Sequence, residues 1–197
     1  MITKLLLASN NPGKLEEIMD LLKDLGIQLL VPKDIALELD IEEIGSTYIE
    51  NARLKALAFC KASGLPALAD DTGLEVKVLN GAPGLHSKRY TSDIYATDAD
   101  RRKLLLTNLA DKPRPWKARF VCAVALALPE GLVIDYQDHC DGEILSEERG
   151  ERGFGYDHIF QFPELGKTMS ELGMKEKNRI SHRAKAVQGI IPYLKSF

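Results

Sequence analysis

The chain has 197 residues, 29 acidic against 26 basic, and a net charge of −3. That length suits a single domain over residues 1–197, and the charge balance argues against a general nucleic-acid binder, which would carry a basic excess. Cys60, Cys122 and Cys140 are odd in number, widely spaced and without a CxxC, which argues against a disulfide framework or a zinc site and fits a reducing cytoplasm.

Residues 4–8 read as a strand and 10–13 as a turn. Residues 14–25 read as a helix, with Leu15, Ile18, Leu21, Leu22 and Leu25 on one face and Gly26 as its stop. The apolar run at 5–8 is too short for a signal-peptide core. A second helix is predicted over 46–61, where Thr47 and Glu50 have the capping-box spacing. Residues 65–69 read as a short buried strand whose end brings two acids, Asp70 and Asp71, out at a sheet edge, followed by Thr72 and Gly73. A third helix spans 98–109, and the two prolines of 111–115 mark a loop. Residues 120–128 read as a strand, with Val124, Leu126 and Leu128 on one face and Ala123, Ala125 and Ala127 on the other. This longest apolar run is too short to cross a bilayer as a helix, so no membrane partner is expected. Gly131 makes a turn, 132–136 return antiparallel, 159–162 form a strand, and 182–194 form the last helix. Helices alternating with strands early and a hairpin late predict an α/β fold, a mixed central β-sheet flanked by helices.

Three clusters carry chemistry. Asp70 and Asp71 repel one another, and burial beside an apolar strand raises the cost. A divalent cation is one solution, since hard Mg²⁺ takes carboxylate oxygen and brings a phosphate substrate with it; a turn cap before Gly73 is the other reading. Ser9, Asn10, Asn11, Pro12, Gly13 and Lys14 follow a strand and open a helix, so backbone amides and the helix dipole favour an anion there. The Walker A spacing is absent, and an ordinary Asn-Pro-Gly bend is the alternative. In a third, glycine-rich cluster, Phe154 offers a stacking face and Asp157 an acceptor, with Gly155 and Tyr156 between them; a tight turn is the competing reading. Lys177, His182 and Arg183 add donors, and Ser181 stands as an N-cap for the last helix.

Taken together, these segments resemble the inosine triphosphate pyrophosphatase family of non-canonical purine nucleotide pyrophosphatases, nearly end to end. Ser9, Asn11, Lys14 and Glu17 match its N-terminal motif. Glu43, Gly45, Thr47, Tyr48, Glu50 and Asn51 match its acidic motif. Ala69 to Gly73 resembles ADDSG with Thr72 for serine, and Gly81 to Gly84 and Ser87 to Tyr90 resemble GAPG and SARY with Lys88 for alanine. Gly153 to Asp157 is similar to GFGYD, and Ile180 to Arg183 to ISHR. Arg152 and His158 depart from the family, which commonly has glycine and proline there, and both flank the base pocket.

The resemblance implies two lobes with an active-site cleft between them, and hydrolysis of ITP, dITP, XTP or dXTP to the monophosphate and pyrophosphate. It implies Mg²⁺, one per subunit, held by Glu43 and Asp71, with Asp71 also the base for the attacking water. Asp70 and Glu17 would orient water or a second ion. Ser9 to Lys14 and Thr72 would hold the triphosphate; Phe154, Gly155, Tyr156, Asp157, Lys177, His182 and Arg183 would read the base. A small-molecule nucleotide is the implied partner, in a cytoplasmic homodimer. Two alternatives stand beside this: a metal-dependent phosphohydrolase of another nucleotide or a sugar phosphate, and a nucleotide-binding module that does not hydrolyse.

Overall fold

The computed structural model describes residues 2–197. In chain order its regular elements are β1 (Lys4–Leu7), α1 (Pro12–Leu22), β2 (Gln28–Leu30), α2 (Tyr48–Ser63), β3 (Ala67–Val76), β4 (Pro83–Gly84), α3 (Asp98–Leu109), β5 (Trp116–Ala127), β6 (Val133–Ile144), β7 (Phe160–Phe162), β8 (Lys167–Thr168), α4 (Met174–Ile180) and α5 (His182–Ser196). The strands make one open mixed sheet in the order β2-β1-β3-β5-β6-β7-β8, with β4 also on β3. β1 runs parallel to β2 and to β3, while the β3–β4, β6–β7 and β7–β8 pairs are antiparallel. The predicted α/β class and mixed sheet flanked by helices are thus observed.

The chain divides into two compact units. The first comprises residues 2–71, 122–138 and 182–197. Its core joins Leu5 and Leu7 of β1, Ile18 and Leu22 of α1, Leu68 of β3, the Cys122–Val124–Leu126 face of β5, and Val187, Ile190 and Leu194 of α5. Ala123, Ala125 and Ala127, on the opposite face of β5, are equally buried, so this stretch is covered on both sides, as a central strand of an α/β sheet must be. The second unit comprises residues 72–121 and 139–181. Its core gathers Leu74 and Val76, Leu105 and Leu109 of α3, Trp116, and an aromatic cluster in which the Phe120 and Phe160 rings lie 4.7 Å apart.

Several expectations need correction. The strand does not end at Ala69; β3 runs on through Asp70, Asp71, Thr72 and Gly73 to Val76. It lies between β1 and β5 in the sheet order, so the acid pair sits inside an interior strand rather than at a sheet edge. The apolar run stops at Ala69 in the sequence, but pairing and nearby cations carry the backbone through two charges. The first helix begins earlier, at Pro12, with Asn11 as its N-cap. Its α-helical part ends at Leu22, and one turn of 3-10 helix leads to Gly26 at φ 71°. The elements β2, β4, β8 and α4 had no periodic signal, being two to seven residues long.

Candidate active site

The two acids of β3 have different surroundings, because successive side chains on a strand point to opposite faces. Asp70 faces α1 and α5. Lys14 Nζ lies 3.0 Å from its Oδ2, and Arg183 Nε donates to the same oxygen at 3.2 Å. Arg183 also donates to Glu17, one turn along α1 from Lys14. Burial alone would push the Asp70 carboxyl up, but Lys14, Arg183 and Lys55 outweigh it and hold the group well below the ordinary carboxylate range. Asp70 is therefore a fixed anion, unsuited to take a proton at neutral pH.

Asp71 faces α2. Asn51 Nδ2 donates to its Oδ2 at 3.0 Å, and Lys55 Nζ stands 3.8 Å from Oδ1. Burial raises its pKa above the usual value, and the Glu43 carboxylate raises it further, against the pull of Lys55. Neighbouring carboxylates with affinities for protons pushed apart are the pattern expected of divided acid–base roles. Asn51 is itself oriented, since its Oδ1 accepts the Gly45 N–H at 2.8 Å and so turns its amino group toward Asp71. A methyl on Gly45 would lie 2.7 Å from that Oδ1, which is why the loop carrying Glu43 needs glycine there.

Lys55 gathers these groups. Its Nζ lies 2.7 Å from Glu43 Oε1 and donates to the Asp70 carbonyl at 2.6 Å. Glu43 and Asp71 thus converge on one cationic point, which an ammonium fills here. Before them, Ser9 Oγ accepts the Asn11 N–H and Asn11 Oδ1 accepts the Lys14 N–H, setting the turn at the start of α1. Asn10, Pro12 and Gly13 complete that turn. All these residues belong to the first unit, whereas Thr72, beyond Asp71 on β3, begins the second.

In the second unit, buried Lys177 donates to buried Asp157 Oδ2 at 2.6 Å. The same oxygen accepts the Phe154 N–H at 3.1 Å. Lys177 Nζ stands 5.3 Å from the centre of the Phe154 ring, within cation–π range. The Tyr156 hydroxyl donates to the Ser87 carbonyl at 2.9 Å. Gly153 has φ 79°, and a side chain there would overlap the Asp157 carboxylate.

His182 and Arg183 open α5 in the first unit and are both buried. Ser181 lies between α4 and α5 with extended backbone. The sequence places Arg183 among base-reading donors; the structure gives its Nη1 to Glu17 and its Nε to Asp70.

A family model, the Ham1 family, matches residues 5–193. The chain belongs to the Ham1 family. It is 48% identical to a dITP/XTP pyrophosphatase of Thermus thermophilus over 189 residues, covering 95% of this chain and 90% of that one. Among solved structures, a HAM1 protein from Coxiella burnetii superposes with a TM-score of 0.88 at 42% identity, covering all of both chains. The Staphylococcus aureus Ham1 protein gives 0.84 at 36% identity, covering 98% of each.

The sequence alone did not point to Lys55 or to the orienting role of Asn51. A signal existed. Lys55 falls on the α2 face that buries Asn51, Ala52, Ala56 and Phe59, and a lysine on the inward stripe of an amphipathic helix needs a buried anion.

Proposed function

We propose that this chain hydrolyses non-canonical purine nucleoside triphosphates, ITP, dITP, XTP and dXTP, to the monophosphate and pyrophosphate, and so clears them from the nucleotide pool. One observation carries the reading: Asp70 is fixed as an anion by Lys14 and Arg183, while adjacent Asp71 is raised, oriented by Asn51, and shares a cationic point with Glu43. Its relatives that are dITP/XTP pyrophosphatases point the same way.

The donor set fits a divalent metal. Glu43 and Asp71 offer hard carboxylate oxygens around one cation position. Two carboxylates would leave an ion here sites for water and phosphate oxygens, the habit of Mg²⁺. Bound there, Mg²⁺ would neutralise phosphate charge and lower the pKa of water.

The remaining chemistry belongs to the chain. Lys14 and the amides of the Ser9–Lys14 turn hold phosphate oxygens, with Thr72 adding a hydroxyl. Asp71 takes a proton from the attacking water as the water oxygen bonds to the α-phosphorus. The bridging α–β P–O bond breaks and pyrophosphate leaves. Phe154 stacks on the base, and Gly155, Tyr156 and Asp157 line its edge beside Lys177. His182 and Arg183 complete the substrate set, Arg183 by fixing Asp70 and Glu17. Donors set against a C6 oxygen are left unpaired by the amine of adenine, a penalty of about 1–3 kcal/mol each. In this reading the protein is a cytoplasmic homodimer.

Pyrophosphate release from ITP, XTP, GTP and ATP, with Mg²⁺ and with excess chelator, tests the proposal. ITP and XTP should turn over fastest, and chelator, Glu43→Gln or Asp71→Asn should abolish release. Orthophosphate as the product, or full turnover in chelator, would overturn it.

A further inference from the structure

Within the second unit, the N-terminal part of α3 grips one residue of the 154–157 loop by both of its backbone polar groups. Asp98 Oδ2 accepts the Gly155 N–H at 2.8 Å, and Arg102 Nη1 donates to the Gly155 carbonyl at 2.7 Å. Asp98 and Arg102 are four apart on the helix, so they share a face. Each is held in turn. Arg101 Nη2 lies 2.5 Å from the other oxygen of Asp98. Both oxygens of Glu148 accept from Arg102, each at 2.8 Å. Arg102 is buried despite its charge, and Gly155 sits at φ 58°.

The helix does not need these side chains for its own start. Thr97 and Asp100 already form a reciprocal capping box at its N-terminus. A buried arginine committed to the carbonyl of one glycine therefore serves the loop. Fixing both backbone groups of Gly155 fixes the exit direction of Phe154 on one side and of Tyr156 on the other.

We infer that Asp98 and Arg102 are positioning residues for base recognition: they set the backbone of the 154–157 loop so that the Phe154 face and the Asp157–Lys177 pair meet the purine in register. The inference rests on the reading that this loop binds the base. Neither residue touches the nucleotide in this account; both act through Gly155.

The test compares steady-state kinetics with ITP and ATP, and the melting temperature, for the full-length wild type and for Asp98→Ala, Arg102→Met, Asp98→Asn and Glu148→Gln. Loss of a charge-assisted hydrogen bond predicts a rise in KM for ITP of about tenfold or more in Asp98→Ala and Arg102→Met. The change in kcat should be much smaller, and the ITP/ATP ratio of kcat/KM should fall. Asp98→Asn keeps an acceptor for the Gly155 N–H and should recover most of the loss. Glu148→Gln leaves both contacts to Gly155 in place and loosens Arg102, so it should shift KM in the same direction but less. It decides the matter if Arg102→Met does not fold. A lowered melting temperature with unchanged KM and unchanged ITP/ATP ratio would overturn the inference. A wild type that hydrolyses ATP as readily as ITP would overturn the base-loop reading itself, and the positioning role with it. A selective wild type whose variants keep the ratio overturns the positioning role alone.

Discussion

Arg183→Ala tests the electrostatic frame most directly. Arg183 is 1% exposed and lies against Glu17 and Asp70, themselves 3% and 2% exposed. At the 3.2 Å separation from Asp70, one such pair attracts by about 5 kcal/mol with an effective dielectric near 20. Desolvation of the three groups offsets much of that gross figure. Removing one partner is different, because it takes a shared cation from two buried carboxylates, leaving Lys14 and Lys55 as the remaining cations acting on Asp70. The expected cost is about 3–5 kcal/mol. For a chain of this size each kcal/mol lowers the melting temperature by about 2–4 °C, so a fall of about 10 °C is expected. Thermal and urea unfolding of wild type and variant in chelator would measure it. Arg183→Lys should recover only part, since an ammonium lacks the fork that reaches two carboxylates. Turnover should drop for every nucleotide, with the ITP/ATP ratio nearly constant. A variant that melts within about 2 °C of wild type, a bound set by the same scale, would refute the frame. A collapse of the ratio without loss of stability would instead place the guanidinium on the base.

Lys14→Ala should lower kcat/KM for all triphosphates by a similar factor if, as proposed, its charge serves the phosphates; a large change in the ITP/ATP ratio would count against that assignment. Gly153→Ala forces a left-handed backbone on alanine, about 1–2 kcal/mol, and drives a methyl into Asp157, so its ITP turnover should suffer more than its fold, as paired kinetics and melting would reveal. Stability in chelator should be lost as pH falls below about 4. The sign follows from Asp70: its folded pKa lies below its unfolded value, so its contribution is complete above the unfolded pKa and fades as pH falls toward the folded one. Acid unfolding with a shallower slope in Asp70→Asn would support this, and an unchanged slope would not.

Much of the fold could be read from pattern. The third helix reads from the sequence at its observed bounds, 98–109, and the structure adds the Thr97–Asp100 capping box that starts it. The strand at 120–128 is legible from its apolar run of alternating large and small residues and the turn from Gly131, although β5 begins four residues earlier, at Trp116. Local pattern failed where tertiary charge pairing decides. Nothing near Ala69 announces that Lys14, Lys55 and Arg183, from three different helices, will allow β3 to continue through two aspartates. Likewise the Arg102–Glu148 pair spans 46 positions, so its hold on Gly155 could not be seen in any window of sequence.

The division between Asp70 and Asp71 follows from one property of strands. Adjacent residues face opposite ways, so a pair of acids that would repel on a helix face or in a turn can be given separate environments one residue apart. Asp70 receives an arginine, which stays protonated at any working pH, and a lysine; its charge is settled. Asp71 receives a neutral amide from Asn51 and shares Lys55 with Glu43. A binding module that merely holds phosphate would gain nothing from the second arrangement, since Glu43 and Asp71 repel the ligand that Lys14 attracts. A hydrolase gains a site where a divalent ion can stand and, in the ion-free chain, a carboxylate whose proton affinity burial and Glu43 raise. The acidic half of the site therefore argues for turnover, and the basic half alone would argue only for binding.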